Sequence, residues 1–71
     1  MTWSYVRNGL VIAHSLSRLD EGGWTLDIVD FDGFVRTERF DDEPAALRRQ
    51  MALERTLILH GWGLETFNRA A

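Results

Sequence analysis

Nine carboxylates stand between Asp20 and Glu43 (Asp20, Glu21, Asp27, Asp30, Asp32, Glu38, Asp41, Asp42 and Glu43) against only Arg36 and Arg39, a local charge of −7. The flanks are basic: residues 1–19 and 44–71 each carry +2, so the formal −3 of the whole chain hides a dipolar molecule. Carboxylates at close spacing can hold a cation, exchange protons with a substrate, cap a helix or face a basic partner. The first two demand particular neighbours, and those neighbours are missing. Aligning Gly33 of Asp30-Phe31-Asp32-Gly33 with the obligatory glycine of a calcium loop puts Ile28 at the first ligand position. Arg39 then falls at the twelfth, where a bidentate glutamate is needed. The segment has the composition of a turn instead.

Other reactive side chains are few. His14 and His60 are the only histidines, and no spacing joins them to a carboxylate or to a serine in a G-x-S-x-G turn. His60 suits the C-terminal end of a helix, and His14 a strand beside Ser15 and Ser17. Neither Gly22-Gly23 nor Gly61-Trp62-Gly63 forms a phosphate loop. No cysteine exists to form a disulfide or a thiolate metal site. The expectation is a non-enzymatic protein with no catalytic residue, no metal and no cofactor. Glu54 stands apart, because on a helical projection it lies between Leu47 and Ile58 inside an apolar arc. A carboxylate there is expected to sit at the rim or to pair with a sheet residue such as Arg39 or His14, a functional acid being the alternative, with Gln50 one turn earlier in the same polar pocket.

The elements that place these residues follow from pattern. Asn8-Gly9 is a type I′ hairpin signal joining a strand at about residues 3–7 to one at about 10–19. Leu10-Val11-Ile12-Ala13 is continuously apolar and allows a helix as the alternative, but alternation of Ile12, His14 and Leu16 favours strand. Asp20-Glu21-Gly22-Gly23 is a turn. Trp24, Leu26 and Ile28 alternate with Thr25 and Asp27, and residues 34–40 return antiparallel. Placing Val29 opposite Phe34 makes an Asp27–Arg36 ion pair. Asp41-Asp42-Glu43-Pro44 starts a helix that runs to about His60, with Gly61 after its end. Ala46, Leu47, Met51, Leu53, Leu57 and Ile58 form its expected core stripe. Residues after Gly61 read first as a short strand and second as a helical turn.

Seventy-one residues make one domain, expected to span 1–71. At this size the buried fraction of surface is only about 60%, so eight aromatic residues must do much of the packing. Trp62 is expected in the core first and as an exposed partner anchor second. Self-association into a homodimer through Trp62 or Phe67 is another use of these rings. No apolar run is long enough for a membrane span and no secretory signal opens the chain, which gives the expectation of a cytoplasmic protein without membrane contact. All eight basic residues are arginine, a composition in keeping with a high-GC bacterial or phage genome. The fold class expected is α+β: a small two-layer domain with an antiparallel β-meander of three to four strands, a short C-terminal strand as an addition, and one α-helix across one face.

Three strands followed by one helix, with Gly23-Trp24, Asp32-Gly33-Phe34, Arg39-Phe40 and Ala45-Ala46-Leu47, resembles the arm-type and AP2-like DNA-binding domains of integrases and transcription factors over roughly residues 22–59. That resemblance implies a DNA-binding accessory domain whose sheet reads the major groove. The chain departs from it where those domains carry Arg and Lys, having Asp27, Asp30, Asp32 and Glu38 instead. Phosphate neutralisation supplies most non-specific affinity, so such a sheet argues against nucleic acid. The preferred expectation is a protein-interaction module whose acidic surface (Asp27, Asp30, Asp32, Glu38, Asp41, Asp42), with Trp62, meets a basic protein surface. A phage or mobile-element inhibitor of a nucleic-acid-binding protein is its sharper form.

Overall fold

A computed structural model describes residues 1–69. Five strands and one helix follow in the order β1 (Thr2–Arg7), β2 (Leu10–Arg18), β3 (Trp24–Val29), β4 (Val35–Phe40), α1 (Glu43–Leu59) and β5 (Gly63–Asn68). The strands form one sheet in the order β4-β3-β2-β1-β5, every pair antiparallel. The meander therefore runs outward from β1 to β4, and α1 carries the chain back across one face so that β5 docks on the free side of β1. This is a small α+β domain with the helix over an antiparallel sheet. Its terminal strand is a full member of that sheet, making five strands where three to four were expected.

Local chemistry explains the joints. Asn8 (φ 51°) and Gly9 (φ 79°) both take positive φ, as a type I′ turn requires, and they set Arg7 opposite Leu10. Asp42 caps α1 by accepting from the Ala45 N–H at 2.8 Å. At the other end Gly61 N–H donates to the Ile58 carbonyl and Trp62 N–H to the Leu57 carbonyl, the paired bonds of a Schellman motif.

Between β3 and β4 the expected register is off by one. Val29 faces Val35, Ile28 faces Arg36 and Asp27 faces Thr37. Asp30 N–H donates to the Phe34 carbonyl and Gly33 N–H to the Asp30 carbonyl, so the loop holds three residues and Gly33 (φ 86°) supplies its left-handed position. The shift moves Arg36 to the helix-covered face and leaves no Asp27–Arg36 pair; Asp27 accepts from the Thr37 hydroxyl at 2.6 Å instead.

The core lies between α1 and the sheet: Trp3, Tyr5, Ile12, Leu16, Leu26, Ile28, Ala46 and Trp62 are buried, with Leu47, Leu53 and Leu57 packed against them. The helix stripe thus runs through Ala46, Gln50, Leu53 and Leu57. Met51 and Ile58, expected in it, are more than half exposed. The polar Gln50 takes the central position because it has a hydrogen-bond partner on β1.

Near its start β5 contains a bulge opposite Ser4 and Tyr5, so that Tyr5 faces Leu64 and Trp3 faces Phe67. Three residues apart, Leu64 and Phe67 would point to opposite faces of a regular strand. The extra residue brings both to the helix side, where Phe67 packs against Trp3 at 5.3 Å between ring centroids.

Candidate functional site

Two groups of side chains invite a functional reading, one beneath α1 and one at the surface. Beneath α1, Gln50 Nε2 donates to the Tyr5 hydroxyl and that hydroxyl donates to Glu54 Oε1, each at 2.7 Å. Glu54 is therefore paired with a sheet residue, which is Tyr5 of β1 and neither Arg39 nor His14. Tyr5 is completely buried and its ring lies 5.1 Å from that of His14, which is 2% exposed. Burial first, and the Glu54 carboxylate second, hold the Tyr5 hydroxyl well above the ordinary phenol range. It stays protonated and donates. Burial also pushes the His14 imidazole below its usual value, partly opposed by Glu54 and reinforced by Arg36. His14 Nδ1 is buried without a hydrogen-bond partner among the described residues. These four groups lock α1 onto β1 and β2. Tyr5 itself is enclosed, and the bonds it makes tie α1 to β1.

The acidic residues separate in space. Strand direction alternates along the meander, so the turn after β2 and the start of α1 share one end of the sheet. That end gathers Asp20, Glu21, Asp41, Asp42 and Glu43. The Asn8-Gly9 turn, the β3–β4 loop with Asp30 and Asp32, and the C-terminal end of α1 share the other. Six residues of β3 separate the two ends by about 20 Å. Asp27 lies on the open face of the sheet and Glu38 on the covered face, because successive residues of a strand point opposite ways.

Most of these carboxylates have internal duties. Asp30 accepts from the Phe31 N–H at 2.8 Å and Asp32 from the Phe34 N–H at 3.0 Å. Asp42 is the helix cap. Glu38 takes a two-pronged contact from Arg49 at 2.8 and 3.1 Å and lies 3.6 Å from Arg36. The Arg49 hydrogen bond, foremost, holds the Glu38 carboxyl below its usual range. Asp41 is exposed. The predicted partner-binding residues thus do not make one continuous acidic face.

Trp62 is not an exposed anchor; it is 8% exposed and stacks on Phe31 at 6.3 Å between centroids. Its role is to tie the β3–β4 loop to the end of the helix. The exposed apolar residues lie nearby. Phe34 is 70% exposed, and Phe31, Val35, Leu10 and Val11 are also open to solvent at this hairpin end. The sequence reading placed Phe31 in a turn and Phe34 at the start of the returning strand, opposite Val29. The three-residue loop instead sets Phe34 opposite Asp30 at the closing pair of the hairpin.

Two hollows flank α1. A groove of about 660 Å³ lies between the helix and β5, lined by Trp3, Leu47, Met51, Leu64 and Phe67 with Glu54 among them. A cleft of about 190 Å³ on the other side is lined by His14, Ile28, Leu53 and Leu57, with Asp30, Arg36 and Thr56 also in its wall. No His/Asp/Glu cluster among the described residues could hold a metal ion. No helix among them is long and apolar enough to cross a membrane. No protein-family model, curated protein or solved structure matches this chain.

Proposed function

We propose that this chain is a small, non-enzymatic protein-interaction module that meets a basic protein surface through the hairpin end of its sheet. One observation carries the reading: Phe34, the most exposed aromatic side chain among the described residues, shares the β3–β4 hairpin end with the exposed Phe31 and Val35 and with the exposed carboxylates Asp30 and Asp32. Leu10 and Val11 extend the apolar area onto the neighbouring hairpin. A lone exposed apolar residue is ordinary, whereas several at one end of a sheet beside exposed carboxylates have the composition of a contact surface. Aromatic anchors supply most of the affinity at such a surface, and charges guide encounter and exclude wrong partners. The five carboxylates at the opposite end add to the field that a basic partner meets.

The partner this chemistry fits has an apolar pocket rimmed by Arg or Lys. A nucleic-acid-binding groove on another protein is such a surface, and a phage or mobile-element inhibitor would occupy it with carboxylates in place of phosphates. The open sheet face offers DNA itself little, since among its outward side chains Asp27 offsets Arg39.

The test is quantitative capture from source cells with three proteins: wild type, Phe34→Ser, and Asp30→Asn with Asp32→Asn. Asparagine keeps the turn acceptors and removes the charge. Loss of the anchor is expected to weaken binding by about thirtyfold or more, as removal of a hot-spot aromatic does. The Asn pair is expected to bind more slowly and with less dependence on salt. A captured set unchanged by all of these substitutions would overturn the proposal.

A further inference from the structure

Glu54 faces two ways. Its Oε1 accepts from the enclosed Tyr5 hydroxyl, yet the same side chain lines the groove of about 660 Å³ between α1 and β5. It also lines a smaller hollow of about 280 Å³ farther along α1, shared with Met51, Arg55, Ile58 and Leu59. The apolar side chains around it are open to water: Met51, Leu64 and Phe67 in the groove, Ile58 and Leu59 beyond, all between 49% and 78% exposed. Both ion pairs among the described residues belong to Glu38, and none to Glu54. The other charges of the groove gather at its far end. Glu43 stands three turns earlier on α1, about 16 Å away by helical rise. Arg69 follows the end of β5 that pairs with Thr2, and the Met1 ammonium donates to the Leu16 carbonyl at 3.1 Å. Glu54 is thus a carboxylate without a cation in the middle of an apolar strip.

We propose that the groove between α1 and β5 binds a small organic cation, a primary ammonium on an aromatic or branched aliphatic body, with Glu54 accepting from the ammonium. The carboxylate is set in place before the ligand arrives. Tyr5 holds its Oε1 from beneath, and the buried Gln50 amide holds Tyr5 in turn. An acceptor fixed in this way loses little freedom on binding. A carboxylate has about four acceptor sites, so the bond from Tyr5 leaves room for a charge-assisted bond from an ammonium. The walls select the rest of the ligand. Phe67, packed on Trp3 at 5.3 Å between ring centroids, offers aromatic surface that covers an apolar body and attracts a nearby cation. Leu47 and Met51 close the helix side. The volume falls in the range of small-molecule sites, which combine mostly apolar walls with a few placed polar groups. Charge decides among ligands of one shape. An anion would meet Glu54 with no cation to offset it, and a neutral body would leave the carboxylate unpaired between apolar walls. The site is built from α1, β1 and β5, apart from the β3–β4 loop, so the inference does not rest on the partner surface proposed above.

Three probes of one shape and different charge test the inference by NMR titration of the full chain: 2-phenylethylammonium, the uncharged 2-phenylethanol and the anionic 3-phenylpropanoate. The ammonium is expected to saturate with a dissociation constant near or below about 1 mM and to shift the amides of Met51, Leu64 and Phe67 and the Trp3 indole. The alcohol is expected to bind about tenfold more weakly and the carboxylate more weakly still, with the preference for the ammonium shrinking as salt is added. Glu54→Gln keeps an acceptor for the Tyr5 hydroxyl and removes the charge, so it is expected to bind ammonium and alcohol alike. Should that variant fail to fold, the charge series on the wild type decides. Met51→Ser is expected to weaken ammonium and alcohol by a similar factor, because it removes wall and not charge. A wild type that binds the three probes equally, or shows no saturable shift with the ammonium up to roughly 20 mM, overturns the inference. So does a preference for the ammonium that survives Glu54→Gln, or shifts confined to the acidic end around Asp20, Glu21 and Asp41. Phe34→Ser is expected to leave the titration unchanged, which separates this outcome from the fate of the partner surface.

Discussion

One carboxylate beneath the helix and a larger set around the surface solve the same problem in opposite ways. Glu54 reaches inward to a fully buried hydroxyl that is also held by a buried amide, so its hydrogen bond is part of what fixes α1 on the sheet. Asp30 and Asp32 hold only their own loop, from positions open to water. Charge count, which made the acidic segment conspicuous, is therefore a poor guide to structural weight. The lone glutamate in an apolar arc constrains the fold, while Asp30 and Asp32 constrain only the turn they sit in.

Tyr5→Phe is the most severe way to try this contrast. The ring stays, but the buried Gln50 amide and Glu54 lose their shared partner, and about 1–3 kcal/mol of stability is expected to go in urea unfolding. Asp30→Asn with Asp32→Asn should change stability by no more than about 0.5 kcal/mol, since asparagine keeps both turn acceptors. Equal losses would break the contrast. Asp42→Ala sharpens it, because this surface aspartate has a capping duty; about 1 kcal/mol is expected from the same measurement, between the two extremes.

A gentler probe is acid. The buried His14 titrates below its ordinary value, so above that value it is neutral in both folded and unfolded chains and contributes no pH dependence. As pH falls through about 6.5 the unfolded chain takes up a proton that the folded one resists, and stability declines. His14→Gln is expected to flatten that decline in urea titrations between roughly pH 7 and pH 5. Glu38 acts in a lower window. Its depressed carboxyl adds stability above the unfolded value, which is lost as pH falls through the folded one.

What was legible in the chain was local. Asn8-Gly9, the Asp42 cap, Gly61 and the alternation of Trp24, Leu26 and Ile28 each settle a joint or a strand with information carried within a few residues. What escaped depends on distant partners. Asp-Phe-Asp-Gly is compatible with more than one loop length, and a single residue decides whether Arg36 or Thr37 stands opposite Asp27. Gln50 is buried while Met51 is not because a tyrosine 45 positions earlier in the chain presents its hydroxyl. Periodicity assigns apolar residues to a helix face, but it has no means to seat an amide at the centre of one. The acidic site residues suffered the same way: their number is written in the sequence, while their division between two ends and two faces is a property of strand direction.

The position of β1 between β2 and β5 has a kinetic consequence. Thr2 pairs with Asn68, so the sheet is completed by a contact between residues at nearly opposite ends of the described chain. Such a contact closes one of the longest loops available, and its entropy must be met before the packing of Phe67 on Trp3 repays it. Hairpins β1–β2 and β3–β4 can form from local turns, whereas docking β5 on β1 must close that long loop. A chain stalled before that step exposes the outer edge of β1, and with it the side of Trp3 that β5 would cover.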